Sequence, residues 1–135
     1  MVCWINPPSE FVRWTEEGFK NDEFFLICQE DEAIGCFWLQ WDDEIFWAQR
    51  DEASGYAHSF TIAHHLAGQH IGKRALAMIE DCCRQQGKDY LRLDCGKHVA
   101  RLCQYYEAYG FRSVGETTVQ GENLTLYEKR IQSLL

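Results

Sequence analysis

Proline is nearly missing from this chain. Two prolines in 135 residues, and no low-complexity tract or internal repeat, exclude a proline-rich linker or fibrous architecture. Basic residues are also short. Lys and Arg number 13 against 21 Asp and Glu, a net charge of −8, which argues against a nucleic-acid partner because phosphate contact needs a basic face. No apolar run approaches the length of a membrane span, and the start lacks the basic-then-apolar plan of a signal peptide. The reading is a cytoplasmic protein with no membrane partner. No C-x-x-C pair occurs among the seven cysteines. An odd count, with Cys82 and Cys83 adjacent, reads as reduced thiols in a reducing compartment. His64 and His65 are likewise adjacent and point apart, with no second ligand pair at zinc spacing, so no metal is expected.

What remains is the composition of a globular protein, 46% hydrophobic and 14% aromatic, at a length that suits a single domain over residues 1–135. Pro7-Pro8-Ser9 reads as a helix start with Ser9 as N-cap, and Gly18 ends that helix. Phe24–Gln29 and Ala33–Trp41 read as a hairpin around Glu30-Asp31-Glu32. Asp42-Asp43-Glu44 then reads as a solvated acidic turn, and Phe46–Gly55 as mostly loop. Tyr90–Cys95 alternates, with Leu91, Leu93 and Cys95 on one face and Arg92 and Asp94 on the other. Val99, Leu102, Cys103 and Tyr106 follow at helical spacing and stop at Gly110. Phe111–Val119 and Leu124–Ile131 pair as a closing hairpin around residues 120–123.

The stretch Tyr56–Glu80 is the most informative. Tyr56–Ile62 is aromatic and β-branched, as a half-buried strand requires. From Ile71 the apolar period becomes helical, through Ala75, Met78, Ile79 and Cys82, with Gly87 as the stop after about Gln86. Between strand and helix lies Gly68-Gln69-His70-Ile71-Gly72-Lys73-Arg74. A helix start presents unpaired N–H groups and the positive end of the macrodipole, so it can hold an anion. Two glycines let the anion approach, and Lys73 and Arg74 add charge. The spacing is neither G-x-x-x-x-G-K-[ST] nor G-x-G-x-x-G, so a P-loop and a dinucleotide fingerprint are both excluded.

Three pieces together carry a resemblance: that turn, the strand Tyr90-Leu-Arg-Leu-Asp-Cys95, and Leu102-Cys-Gln-Tyr-Tyr-Glu-Ala-Tyr-Gly-Phe111, with a tyrosine four residues before a Gly-Phe pair. Over roughly Phe24 to Ile131 the chain resembles the GNAT N-acetyltransferase superfamily. The resemblance implies an α/β fold with a mixed, mostly antiparallel central sheet flanked by helices, here N-terminally shortened, without the family's first strand and long helix. Such an edge would favour association with another chain, so a homodimer is one expectation.

The resemblance also implies acetyl-CoA as co-substrate and transfer of its acetyl group to a primary amine of a small molecule or peptide. Phe60, Thr61 and Ile62 would offer main-chain groups to the pantetheine arm. Gly68, Gln69, His70, Ile71, Gly72, Lys73 and Arg74 would cradle the pyrophosphate. Tyr106 would be the general acid to the leaving thiolate; its competing reading is a packed core aromatic. Candidate bases are Glu44 (or Asp43) and His58. Against the family form [QR]-x-x-G-x-[GA], His70 stands where glycine is usual and Ala67 where Gln or Arg is. Val99 stands where an asparagine often contacts the cofactor. The alternative is therefore a catalytically inactive GNAT-like domain that binds CoA or a protein.

Overall fold

The computed structural model describes residues 2–3, 24–29, 32–43, 46–47, 53–63 and 70–131. The helix expected after Pro7, Glu44, both members of the His64-His65 pair, and Gly68 with Gln69 lie outside them. The described elements are β1 (Val2–Cys3), β2 (Phe24–Gln29), β3 (Glu32–Gln40), β4 (Ser54–Ile62), α1 (Ile71–Gln85), β5 (Tyr90–Gly96), α2 (Ala100–Tyr109), β6 (Arg112–Val119) and β7 (Glu122–Arg130). Backbone contacts divide the chain into two units, residues 1–40 with 57–81, and residues 41–56 with 82–135.

In the first unit the strand order is β1-β2-β3-β4. A strand does precede β2, contrary to the expectation of a missing first strand: Val2 pairs with Ile27 and Cys3 with Leu26, antiparallel. Two residues are too few to show an alternating pattern in the sequence, so the pairing is legible only in space. β2 and β3 form the expected antiparallel hairpin with a bulge at Ile27/Cys28, and β3 begins one residue early because Glu32 pairs with Gln29. Ile34 and Cys36 are buried, and so are Phe37 and Leu39. Both faces of β3 are therefore covered. α1 buries Ile71, Ala75, Leu76 and Ile79 in this unit. Met78 and Cys82, expected on that stripe, are only half-buried; Leu76 and, further along the helix, Cys83 replace them. Each fully buried leucine or isoleucine contributes roughly 1.5–3 kcal/mol.

In the second unit the order is β4-β5-β7-β6. β4 starts at Ser54, inside what the sequence suggested was loop. Its parallel ladder with β5 covers only Ser54–Tyr90, Gly55–Leu91 and Tyr56–Arg92. β5 instead runs antiparallel to β7 along its whole length, from Tyr90–Arg130 to Gly96–Leu124. The closing hairpin is tighter than the expected four-residue turn. Val119 pairs with Glu122, and Gln120 and Gly121 have φ of 52° and 81°, the two left-handed residues of a type I′ turn.

One expectation is corrected in this unit. Asp43 is not on a solvated turn: it is 7% exposed. Its Oδ1 accepts a hydrogen bond from the Phe46 N–H at 3.0 Å, and its carbonyl accepts one from the Trp47 N–H at 3.1 Å. A short polar side chain that satisfies backbone donors three residues on is a capping device. Trp47, 2% exposed, then packs with Tyr56 and Leu126. Arg92 is a second buried polar residue of this unit. The face of β5 opposite Leu91, Leu93 and Cys95 is not polar surface, since Arg92 is 0% exposed. Its Nε and Nη2 each lie 2.8 Å from Glu128 Oε1, and its Nη1 donates to the Tyr56 hydroxyl at 2.9 Å. The guanidinium stacks near the rings of Trp47, Tyr90 and Tyr56, at 5.0, 5.3 and 5.7 Å. A buried arginine needs such paired, hydrogen-bonded and aromatic surroundings.

Candidate active site

In the first unit the candidate residues lie at the end of β4 and the start of α1. Phe60 and Ile62 are half-buried and Thr61 is exposed. The Thr61 side chain also hydrogen-bonds the Cys36 thiol, whose pKa is raised because burial outweighs that bond. His58 is half-buried, edge-on to Trp38 at 6.3 Å.

His70 carries the start of the helix. Its carbonyl accepts the first helical bond, from the Arg74 N–H at 3.2 Å, which leaves the N–H groups of Ile71, Gly72 and Lys73 without a helical partner. The φ of His70 is +60°, a left-handed conformation in which a side chain costs roughly 1–2 kcal/mol. This is the position where the family form has glycine, and the conformation supplies the reason: glycine adopts it without strain. His70, Lys73 and Arg74 are exposed, Gly72 half-buried and Ile71 buried. Of the predicted phosphate turn, residues 70–74 are therefore brought together at one helix start with two cations on the surface.

In the second unit the candidate catalytic residue lies on α2. Val99 occupies the N-cap without a side-chain capping bond, and Gly110, at φ 123°, closes the C-terminus by donating its N–H to the carbonyls of Tyr106 and Glu107. A side chain at that φ would be strained, so the Gly-Phe pair of the sequence is a helix stop. Tyr106 is the buried residue of this helix. Its ring sits 5.7 Å from Phe111, 5.7 Å from Tyr105 and 6.2 Å from Tyr127. Burial, and then the neighbouring Cys95, Tyr105, Asp94 and Cys103, push its hydroxyl pKa well above the ordinary tyrosine value. The hydroxyl therefore stays protonated through neutral pH.

Two relationships around Tyr106 were not read from the sequence. Cys95 at the end of β5 and Cys103 on α2 have their sulfurs 3.3 Å apart. The Tyr127 hydroxyl on β7 donates to Glu107 Oε2 at 2.7 Å. The signal for both was present as periodicity. Cys103 precedes Tyr106 by three residues on one helix face, and Tyr127 lies opposite Leu93 on the neighbouring strand. Nothing in the sequence tells which strand faces which helix turn.

Residues 2–111 match the model of the acetyltransferase (GNAT) family. The chain belongs to that family. It is 28% identical over 117 residues to the uncharacterized N-acetyltransferase YesJ of Bacillus subtilis, a match that covers 83% of this chain and 63% of that protein, so the chain spans less than two thirds of this relative's length. The fold is that of solved GNAT structures. A GNAT acetyltransferase from Listeria monocytogenes superposes with a TM-score of 0.73 at 19% identity, covering 96% of this chain and 94% of that one. Ard1 from Thermoplasma volcanium gives 0.75 at 10% identity, over 98% of each. A GNAT acetyltransferase from Elizabethkingia anophelis with acetyl-CoA bound gives 0.67 at 15% identity, over 96% of this chain and 97% of that one. The mixed, mostly antiparallel sheet with flanking helices is thereby the GNAT fold. Among the described residues no helix is long and apolar enough to cross a membrane.

Proposed function

We propose that this protein transfers the acetyl group of acetyl-CoA to a primary amine of a small molecule or peptide, with Tyr106 as general acid. The amine nitrogen attacks the thioester carbonyl carbon, the carbon–sulfur bond breaks, and Tyr106 gives its proton to the leaving sulfur. The nitrogen gives up one proton to solvent or to His58, and a proton from solvent restores Tyr106. The products are the N-acetylated amine and free CoA, so the step needs no metal or covalent enzyme intermediate.

The observation that carries the reading is the environment of Tyr106: buried, held by three aromatic rings, and kept protonated by that burial. A group that must deliver a proton to a thiolate has to be in its acid form when the bond breaks. The helix start at residues 70–74 supports pyrophosphate binding through N–H groups without helical partners and two exposed cations. Phe60, Thr61 and Ile62 supply main-chain groups to the pantetheine arm in this reading, and Gly68 and Gln69 complete the phosphate turn. Glu44 is retained as a second candidate base.

Thermal unfolding with and without acetyl-CoA tests the first half. Binding to the native state alone raises Tm, by about 2.7 kcal/mol of stabilisation at a ligand concentration 100 times Kd. No shift at millimolar acetyl-CoA sinks both the acetyltransferase and the CoA-binding alternative. Screening a panel of amines for acetylated product by mass detection identifies the acceptor. Tyr106→Phe then lowers turnover while acetyl-CoA still raises Tm. Unchanged turnover removes Tyr106 from the mechanism.

A further inference from the structure

The helix that carries Tyr106 is weakly specified by its own sequence. Its N-cap makes no side-chain bond, its first turn has no acid, and its last turn has no base. Apart from the Gly110 stop, none of the usual terminal devices, each worth a few tenths to about 1 kcal/mol, is in place. Tyr106 is its buried side chain. Several side chains tie it to β5 and β7. Cys103 touches Cys95 and hydrogen-bonds Tyr127, Tyr109 lies under the Lys129 ammonium at 5.6 Å, Tyr106 packs against Tyr127 and against Phe111 just past the helix, and Glu107 accepts the Tyr127 hydroxyl.

The last of these is directional. A thiol contact and ring packing tolerate sliding, whereas a 2.7 Å O–H···O bond to a carboxylate is short and geometrically strict. Tyr127 is 2% exposed, and a buried tyrosine hydroxyl requires a partner. Burial, then the bond to Glu107, keeps it protonated and a donor. Glu107 itself is on the exposed side of the helix, so the bond pins an otherwise solvent-facing side chain to β7. Glu107 follows Tyr106 directly, about 100° further around the helix. Fixing Glu107 therefore fixes rotation about the helix axis, the motion that swings the Tyr106 hydroxyl most. A rotation of about 10° moves an atom roughly 8 Å from the axis by about 1.4 Å. Displacements near 1 Å cost catalysis up to about 100-fold.

We propose that Tyr127 and Glu107 form a positioning pair that sets the rotation of α2 and so the placement of the Tyr106 hydroxyl during acetyl transfer. This rests on Tyr106 being the general acid. Tyr127 reads the position of Tyr106 from two sides at once, through its ring against the Tyr106 ring and through its hydroxyl on the next residue of the helix.

The test is a set of variants assayed with the amine found in the panel screen, and with acetyl-CoA hydrolysis by water as an acceptor-independent readout. Tyr127→Phe and Glu107→Ala each lower kcat about tenfold in both assays, with KM for acetyl-CoA within twofold of the parent and acetyl-CoA still raising Tm. Glu107→Gln keeps an accepting oxygen and restores most of the lost rate. In a Tyr106→Phe background, Tyr127→Phe produces no further fall, because the group it positions is gone; a stability effect alone would lower both backgrounds alike. Three results overturn the proposal: wild-type kcat in Glu107→Ala, no advantage of Gln over Ala at 107, or an equal fall from Tyr127→Phe in both backgrounds. If Tyr106→Phe itself turns over at the parent rate, the general-acid reading fails and this proposal falls with it. If Tyr106→Phe is impaired while the Tyr127 and Glu107 variants are not, only the positioning role fails.

Discussion

The sulfurs of Cys95 and Cys103 lie 3.3 Å apart, joining the end of β5 to the first turn of α2. Both also approach the Gly96 carbonyl at 3.7 Å. Burial, followed by the bond and proximity to Cys103 and the charge of Asp94, pushes the Cys95 thiol from 9.0 to about 12. Its thiolate is the nucleophile toward alkylating reagents. Iodoacetamide at pH 8 should therefore modify Cys95 more slowly than the half-buried Cys82 in the native protein, and at an ordinary rate once the chain is unfolded. Peptide mapping over time checks this; early labelling of Cys95 contradicts the burial argument.

The same shift predicts how stability changes in alkali. Cys95 and Tyr106 are acids whose folded-state pKa is raised above the unfolded value. Below the unfolded values both states are protonated and the full stability is present. As pH rises from about 9, the unfolded chain releases protons that the native one retains, and stability falls. Urea midpoints should decline steadily between pH 9 and 11, and Cys95→Ala should flatten the first part of that decline. A flat profile in the parent protein would count against both shifts.

Arg92 and Glu128 offer a double-mutant test. Removing one partner leaves a buried charge, at a cost of about 3–5 kcal/mol. Arg92→Met should lose stability on that scale. Glu128→Gln should lose at least as much, since it leaves the 0% exposed Arg92 without its carboxylate and also takes the partner of the exposed Arg112, 3.5 Å from Glu128 Oε2. The combined Arg92→Met/Glu128→Leu variant should recover much of the loss, because no buried charge remains. Additive losses in denaturant unfolding would show that the two residues do not act as a pair.

His70 is strained by its positive φ. His70→Gly should leave stability near the parent value, since relief of the left-handed conformation offsets glycine's extra unfolded-state freedom. His70→Val should cost about 1–2 kcal/mol, because a β-branched residue fits that region worst. If acetyl-CoA binds at this helix start, the glycine variant should bind it at least as well as the parent. Calorimetric titration separates the two effects.

Lys73 and Arg74 should contribute charge rather than shape to that binding. Each alanine substitution should weaken acetyl-CoA about two- to fivefold, the range of an exposed ion pair. The difference should shrink as salt rises from about 0.05 to 0.5 M. An effect that survives high salt would point to a specific buried contact instead.

Much of this was legible in the sequence, for local reasons. β2, α1, β5, α2 and the closing hairpin carry their own periodicity and stops, and Tyr106 with Gly110 and Phe111 is a helix ending readable from residue types alone. Contacts distant in sequence were not. Val2 and Cys3 are a strand only because β2 lies beside them. Arg92 looks like a surface residue until β4 and β7 flank β5 and close over it. Asp43 looks solvated until its carboxylate is seen to hold the Phe46 N–H. Tyr127 looks like one more sheet aromatic until its hydroxyl meets Glu107. At the helix start the sequence marked His70 as the irregular residue, but only the backbone angle explains why glycine is the usual solution there.

The antiparallel ladder between β5 and β7 has a reach beyond the two strands. Tyr127 and Glu128 are neighbours on β7 and point to opposite faces of the sheet. One meets Glu107 on α2, the other meets Arg92. Both assignments follow from the β5–β7 register, with Leu93 opposite Tyr127 and Arg92 opposite Glu128. A slip of one residue would exchange the two faces, presenting a carboxylate to the helix that carries Tyr106 and a phenol to the buried guanidinium. One ladder is thus the bookmark that keeps both faces of the sheet on the right page.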